Sequence, residues 1–430
     1  MGPKTVARLL AVVAALSLAA CGSSSSSSSG GASSTSTASN AAATTSASKS
    51  TILIGLVTPG AGSPVFDTQA VAADDEAFIR AINAQGGLGG HPLKLDYCND
   101  KNDPNQTITC AQKMVSDHVV MLAGGNLLNG AQLATIMNKA GIPEVGLNVF
   151  TGTELNSPNM FLLTSTAPGY VVMAGYLAHH GLSTAMLGAD NATALQLYDI
   201  VSGASAALHK PWLSRTLVPT TVPDMSPYVQ SALKDHPQVI QSFLGIPQEY
   251  QAVALVGKLA PTVKWATAGG PSSAAAATAT GEVSNINNIM AFGNLLPLQE
   301  TSNPVVSRFL SEVNSYYQAT HDTYATPLQT SFVGFSGWLG LYALQQLVKT
   351  GQLSADNMSA ATVMKAFQTA KNINMGGVIP PWTPNAPGPK GEVRISNPYY
   401  YIWTYSNGGA SVKLLTSHPV SAQQALAGQF

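Results

Sequence analysis

Apolar residues recur along this chain with two alternating periods. Ile52–Val57 (ILIGLV) is a continuous apolar run of strand length, and beyond it Val71, Phe78 and Ile82 share one helical face. The alternation repeats: 93–97 and 119–123 read as strands, helices fall over about 104–117 and 130–140, and 142–147 is a fourth strand. Asp67 or Thr68 is placed to cap the first helix, and Gln85-Gly86-Gly87 to end it. This βαβα order predicts a parallel sheet with helices on both faces.

The rhythm restarts after 161–165. Helical patterns over 169–180, 192–208, 228–235 and 248–260 alternate with strand patterns over 185–189, 213–217, 239–244 and 263–267. Two βα series in tandem predict an α/β fold of two doubly wound lobes. Parallel sheets bind ligands at the carboxyl ends of their strands, so two lobes facing each other across a hinge would share one cleft. Three helical stretches follow, over 304–320, 328–350 and 360–371. A proline-rich segment (Pro380, Pro381, Pro384, Pro387, Pro389) then leads to an aromatic strand over 399–405. Alternation would place half of that strand in the core, and Asn407-Gly408-Gly409 predicts a hairpin to 412–415.

Composition changes the picture first at the front of the chain. Lys4 and Arg8 precede a short apolar stretch over 9–20 (LLAVVAALSLAA). It cannot span a hydrocarbon core of ~30 Å, which takes roughly 20 apolar residues, but it fits a secretory signal. The stretch stops at Leu18-Ala19-Ala20-Cys21, which resembles the lipobox of bacterial lipoproteins. In that family the cysteine is acylated and becomes the new N-terminus. An ordinary signal peptide with a cysteine at its cut site is the alternative. Residues 22–50 are almost wholly Ser, Gly, Ala and Thr, and with no large side chain to bury they should form a flexible tether. The chain thus divides into a signal over 1–20, a tether over 21–50 and a folded body from 51.

The body has ample apolar material: 45% of the chain is hydrophobic and 10% charged. Removing Lys4 and Arg8 leaves 18 basic against 21 acidic residues. No basic face clusters as a nucleic-acid partner would require. No later segment reads as a membrane span, because 337–348 is short and broken by Gln345 and Gln346. Cys98 and Cys110 are the only other cysteines, and in an exported chain such a pair favours a disulfide. Two free buried thiols are the alternative.

Other chemistry is weak. The Gly86–Gly90 run follows a helix and precedes a strand, the reverse of a phosphate loop. Gly334-Phe335-Ser336-Gly337 misses the spacing of a nucleophile elbow. His179 and His180 end a helix, where a cation suits the dipole. Asp74-Asp75-Glu76 lie in the first turns of a helix and read as solvated. No metal site, cofactor or enzymatic activity is expected.

One stretch carries a family resemblance. Gly55-Leu56-Val57-Thr58-Pro59-Gly60, Ala81-Ile82-Asn83-Ala84-Gln85-Gly86-Gly87, Asp103-Pro104 and Ala140-Gly141-Ile142-Pro143, in this order, resemble the type I periplasmic binding proteins of branched-chain amino-acid ABC importers. The resemblance implies two lobes, 51–166 with 297–372 and 167–296 with 373–430. Three crossovers would join them, near 165–168, 291–297 and 372–381. It further implies a monomer that binds a small molecule, hands it to an ABC permease and ATPase complex, and is held to the cell membrane through lipidated Cys21, outside the cytoplasm. A surface lipoprotein that senses a ligand without transport is the alternative.

The same resemblance suggests a binding site. Thr151 falls on the family's carboxylate-binding threonine, while Leu127 stands where the family usually has a serine. Asn126, Asn148, Val149 and Phe150 flank them, and Phe66 and Asp67 lie on the first loop. Phe335 sits on a long helix that the family places beside the cleft. The second lobe would contribute Ala194, Gly245 and Gly270. Where the family grips an α-ammonium with an acid, this chain has Ala268-Gly269-Gly270-Pro271, so Glu249 or Asp190 would have to substitute. The expected ligand is a small carboxylic acid or amide with some apolar surface, and not leucine, isoleucine or valine.

The lipobox makes the first prediction. Cys21→Ala is expected to release the protein from membranes or leave it unprocessed. A mature N-terminus without diacylglycerol, read by mass spectrometry, would reject lipidation.

Overall fold

A computed structural model of the chain describes residues 49–430 apart from 64–67, 150, 220, 327–328, 330 and 387–396. Cys21 and nearly all of the tether lie outside the described residues. The first alternating series becomes β1 (Ile52–Val57), α1 (Ala70–Ala84), β2 (Leu93–Cys98), α2 (Pro104–Ser116) and β3 (Met121–Ala123). It continues through α3 (Gly130–Ala140), β4 (Glu144–Val145), α4 (Gly152–Leu155) and β5 (Met160–Phe161). These strands form one parallel sheet in the order β2-β1-β3-β4-β5. Ile54 and Leu56 on β1 are fully buried, because helices cover both faces of the sheet.

The second series gives α5 (Ala167–His179), β6 (Thr184–Ala189), α6 (Ala192–Ala207), β7 (Arg215–Val218) and α7 (Ser226–Leu233). Next come β8 (Val239–Phe243), α8 (Ile246–Leu259), β9 (Lys264–Ala268), α9 (Ala274–Thr280) and β10 (Ile289–Gly293). The remaining elements are α10 (Pro304–Thr320), α11 (Phe332–Lys349), α12 (Ala360–Thr369), β11 (Tyr399–Ser406), β12 (Ser411–Leu414), β13 (Val420–Ser421) and α13 (Ala422–Leu426). The second sheet runs β12-β11-β10-β9-β8-β6-β7, with β13 paired to β11. Strands β6 to β10 are parallel, whereas β11 joins β10 antiparallel and carries the hairpin to β12.

Several expectations need correction. The first helix is capped by neither Asp67 nor Thr68: it starts at Ala70, with Gln69 as an N-cap whose side chain makes no capping bond and accepts from the Ala61 amide at 3.2 Å instead. The Thr68 hydroxyl instead meets Thr58 Oγ1 at 2.7 Å and the Pro59 carbonyl at 3.1 Å, and Asp67 lies outside the described residues. The aromatic strand is more than half core, since Tyr400, Tyr401, Ile402, Trp403 and Tyr405 are all buried. Alternation fails there because elements pack on both of its faces. Helix α9 was not anticipated, because its alanine run lacks large apolar residues at helical spacing. Strand β10 occupies ground where only a crossover was expected.

Cys98 and Cys110 are joined by a disulfide between the end of β2 and the middle of α2. Closing a loop of this size stabilises by ~3 kcal/mol on the chain-entropy estimate.

Helices α10 and α11 pack on α1, and α12 reaches β3, so 304–369 return to the first sheet. Their seam is aromatic: Phe78 meets Trp338 edge-on at 5.3 Å, and Phe309 lies 4.7 Å from Phe335. The chain therefore crosses between the sheets after β5, after β10 and after α12. One buried side chain ties these crossings together. Asn294 accepts from the Ser165 amide at 2.7 Å and donates to the carbonyls of Asn397 and Tyr399 at 2.9 and 3.0 Å. Asn397 returns a bond to the Asn294 carbonyl at 3.1 Å.

Helix α11 approaches the sheet closely because it is glycine-rich. A Cβ on Gly146, at φ +76°, would lie 2.3 Å from the Ser336 carbonyl oxygen, and one on Gly124 would lie 2.8 Å from the Gly337 Cα. Into the same seam α1 directs Asp74 and Asp75. Both acids are fully buried rather than solvated, and none of their four carboxylate oxygens has a hydrogen-bond partner. Burial holds both well above the usual carboxylate range, and at Asp75 the charges of Asp74 and Glu76 add to it. The solvated reading of these two acids failed because α11 covers the face that they occupy.

The buried acids set a pH dependence. Below the ordinary carboxylate range both folded and unfolded chains hold the protons, so the acids cost nothing. As pH rises the unfolded chain releases them first, and stability falls by up to about 1.4 kcal/mol per pH unit for each acid until the folded values are passed. Urea titrations from pH 4 to 8 should therefore fall less steeply for Asp74→Asn/Asp75→Asn than for the parent. Parallel curves would show that the acids are hydrated in solution.

Candidate functional site

The carboxyl edge of the first sheet is built from two loops that cross-link each other. Gly124 and Gly125, both at positive φ, turn the chain out of β3. Asn126 then forms a parallel bridge with Asn148, the residue that follows the end of β4 by three positions. The Asn148 amide donates to the Gly125 carbonyl at 2.9 Å, and Asn148 Nδ2 donates to Asn126 Oδ1 at 2.9 Å. Thr58, after β1, accepts the Asn126 amide at 3.3 Å. Three strand ends are thus joined by polar groups, with Asn126 and Asn148 half-buried at the edge.

Thr151 caps α4 in a reciprocal capping box. Its hydroxyl donates to Glu154 Oε2 at 2.7 Å, its amide donates to the same oxygen at 2.9 Å, and the Glu154 amide donates back to Oγ1 at 3.3 Å. Glu154 is itself buried and presses against Gly130, where a Cβ would lie 1.9 Å from Oε1. Beside it Glu144 is fully buried and accepts from Asn159 Nδ2 at 3.0 Å. Burial pushes Glu144 up to about 8, and the Glu154 charge adds to the rise.

At the carboxyl edge of the second sheet, Asp190 follows β6, Gly245 follows β8 and caps α8, and Gly269-Gly270 follow β9. Asp190 is exposed, as is Asp224 in the loop that follows β7. Glu249, by contrast, is buried and committed inward. It accepts from the Ser242 hydroxyl and from the Trp265 indole at 2.7 Å, and burial raises it despite those donors. Of the two acids considered for an ammonium, Glu249 is therefore occupied and Asp190 is open.

The site residues suggested by sequence separate accordingly. Asn126, Asn148, Val149 and Thr151 gather at one edge, while Gly245 and Gly270 stand at the other. The Ala194 amide is taken by the Asn191 cap at 2.9 Å. Gly270 is pinned beside Tyr405, whose hydroxyl would lie 2.5 Å from an added Cβ. Leu127 is 1% exposed and belongs to the core. Phe335 is likewise fully buried among Phe309 and Trp338, because α11 turns that face to α10 and not to the edge. Phe66, Asp67 and Phe150 lie outside the described residues. Sequence reasoning missed Glu154 and Glu144. The Thr151-x-x-Glu154 spacing is a capping-box signature and could have been read as one.

Two surface cavities lie elsewhere. One, of about 260 Å³, is near the amino ends of the first sheet's strands, around His91, His118 and Asp356. The other, of about 660 Å³, lies between α1, α10 and α11. Some of their charged groups are engaged by neighbours: Asp356 pairs with Lys49 and His91, and Arg308 with Glu312 and Gln345. Among the described residues no group of three His, Cys, Asp or Glu could hold a metal ion, and no helix is long and apolar enough to cross a membrane.

Known proteins match this architecture. A family model described as "Periplasmic binding protein" matches residues 51–398. The chain therefore belongs to the type I periplasmic binding proteins, a family of extracytoplasmic solute-binding proteins. Among curated proteins, a Leu/Ile/Val-binding protein homolog 2 of Brucella abortus is 34% identical over 77 residues. That match spans 18% of this chain and 21% of the relative. A substrate-binding periplasmic protein from Ralstonia solanacearum superposes with a TM-score of 0.68 at 16% identity, covering 84% of this chain and 99% of that one. A fatty acid ABC transporter substrate-binding protein from Thermomonospora curvata gives 0.66 at 12% identity, covering 88% and 94%. An R. palustris ABC transporter solute-binding protein in complex with 4-hydroxybenzoate gives 0.66 at 16%, covering 86% and 97%. At these identities the likeness is one of fold.

The occupied state of Glu249 can be checked. Glu249→Ala leaves the Ser242 hydroxyl and the Trp265 indole buried without an acceptor, at about 1–3 kcal/mol for each orphaned group. The urea midpoint should drop accordingly, with altered Trp265 emission at low urea. An unchanged midpoint would place Glu249 in solvent.

Proposed function

We propose that this chain is an extracytoplasmic solute-binding lipoprotein that captures a small polar or amino-acid-like molecule and delivers it to an ABC permease and ATPase complex. One observation carries the reading: the parallel strands of two sheets each end in loops of glycine and small polar residues, and the chain crosses between the sheets three times. Open α/β sheets take ligands at such carboxyl ends. In this reading 51–166 with 297–372 form one lobe and 167–296 with 373–430 the other. The lobes hinge on the three crossings, and the protein works as a monomer.

The loops themselves bear on the ligand. Asn126, Asn148 and Thr151 give the first lobe a polar rim over a buried apolar floor that includes Leu127 and Leu147. On the second lobe the Gly269-Gly270 turn supplies no charge for an α-ammonium, and a buried unpaired ammonium is costly. With Glu249 occupied and Asp190 exposed on its loop, leucine, isoleucine and valine lack the buried acid that this turn would have to supply. Anchoring by a lipid at Cys21 rests on the lipobox and the Ser-rich tether.

A thermal-shift screen tests the proposal, with amino acids, aromatic acids, amides and short peptides as the panel. A ligand of the native state at 100 times its Kd adds about 2.7 kcal/mol of stability and raises Tm. Expected is a shift from at least one polar-ended, partly apolar compound and none from the three branched-chain amino acids. A panel without any shift would contradict solute binding, and tight leucine binding would contradict the reading of the second-lobe turn.

A further inference from the structure

We infer that the ligand's end at the first sheet's edge is a neutral hydrogen-bond donor, a carboxamide or a hydroxyl, and not a carboxylate, because Glu154 already holds the Thr151 hydroxyl proton. The inference rests on the solute-binding reading above and narrows it to a ligand class.

A threonine hydroxyl carries one hydrogen and two lone pairs. Here the hydrogen goes to Glu154 Oε2 at 2.7 Å, and the Glu154 amide takes one lone pair at 3.3 Å. What remains is a single lone pair, so Thr151 can accept a hydrogen bond from a ligand but has none to give. A carboxylate is acceptor-only and finds no complement there.

The charge distribution behind Thr151 points the same way. Glu154 accepts the Thr151 amide as well as the hydroxyl, and its carboxylate abuts Gly130, the first residue of the eleven-residue helix α3. A helix start favours negative charge. The fully buried neighbour Glu144 is the member of the pair that burial drives toward its protonated form, up to about 8. Two donors of Thr151 thus converge on one Glu154 oxygen, directly behind the hydroxyl that would have to greet a ligand carboxylate.

The asparagine pair supplies the rest of the recognition. Because Asn148 Nδ2 is donated to Asn126 Oδ1, the groups left over are the Asn126 Nδ2 donor and the Asn148 Oδ1 acceptor. They belong to the two residues that bridge the loops. A donor and an acceptor together are the complement of a carboxamide, which carries both. A carboxylate would satisfy the first and confront the second.

Calorimetry on the mature full-length protein tests this with matched probes that differ only in the polar end: benzamide against benzoate, phenylacetamide against phenylacetate, and isovaleramide against isovalerate. In at least one pair the amide is expected to bind ten-fold or more tightly than its acid. Thr151→Val should then weaken the amide at least ten-fold, while Thr151→Ser, which keeps the hydroxyl, should restore it. In Glu154→Gln the new amide can donate to Thr151 Oγ1 and release its proton toward the ligand, so the gap between amide and acid should narrow; Thr151→Ser keeps the test decisive if that variant does not fold. An acid that binds more tightly than its amide and is weakened by Thr151→Val overturns the inference and leaves solute binding standing. No binding by any probe overturns both.

Discussion

The crossings between the two sheets depend on one amide. Asn294 lies just past β10, is 4% exposed, and uses both halves of its side chain on the segments that pass from one sheet to the other. It accepts from Ser165 and donates to the carbonyls of Asn397 and Tyr399, while Tyr400 donates its hydroxyl to the Ser165 carbonyl at 2.5 Å. Segments more than a hundred residues apart in sequence thereby share one buried hydrogen-bond knot. Each group in it would cost about 1–3 kcal/mol if stripped of its partner, so the knot constrains where the chain can bend.

A second constraint acts inside the first sheet's layer. Helix α11 seats on Gly124 and Gly146 because it offers Gly337 and the Ser336 hydroxyl, which donates to the Gly146 carbonyl at 2.8 Å. The same close approach buries Asp74 and Asp75 without partners. Acids kept in such a seam are poor for stability. Gly337 stands between Asp75 and Gly124, where the turn into Asn126 begins.

Much of the fold was legible in the sequence, and the reason is periodicity. Runs such as Ile52–Val57 followed by Val71, Phe78 and Ile82 state both the element and the face that it buries. Pro104 and Pro304 open their helices, with Asp103 and Asn303 as side-chain caps. The candidate site was less legible. Sequence could place Asn126, Asn148 and Thr151 at strand ends, but not the bonds that their side chains make, such as the one that commits the Thr151 hydroxyl to Glu154. Phe335 and Leu127 looked like site residues because they lie on the right elements. Which face an element turns to its neighbour depends on packing partners far away in the chain. Asp74 and Asp75 were misread for the same reason, since the helix that covers them begins more than two hundred residues later.

The central claim is that one small molecule is held by the carboxyl edges of both sheets at once. Hydrogen–deuterium exchange with and without a ligand found by thermal shift measures this directly. Slowed exchange is predicted together at 124–129 and 146–152 on the first sheet and at 190–195, 245–249 and 269–271 on the second. Protection confined to one sheet, or appearing at the outer faces of α1, α10 and α11 instead, would contradict the account.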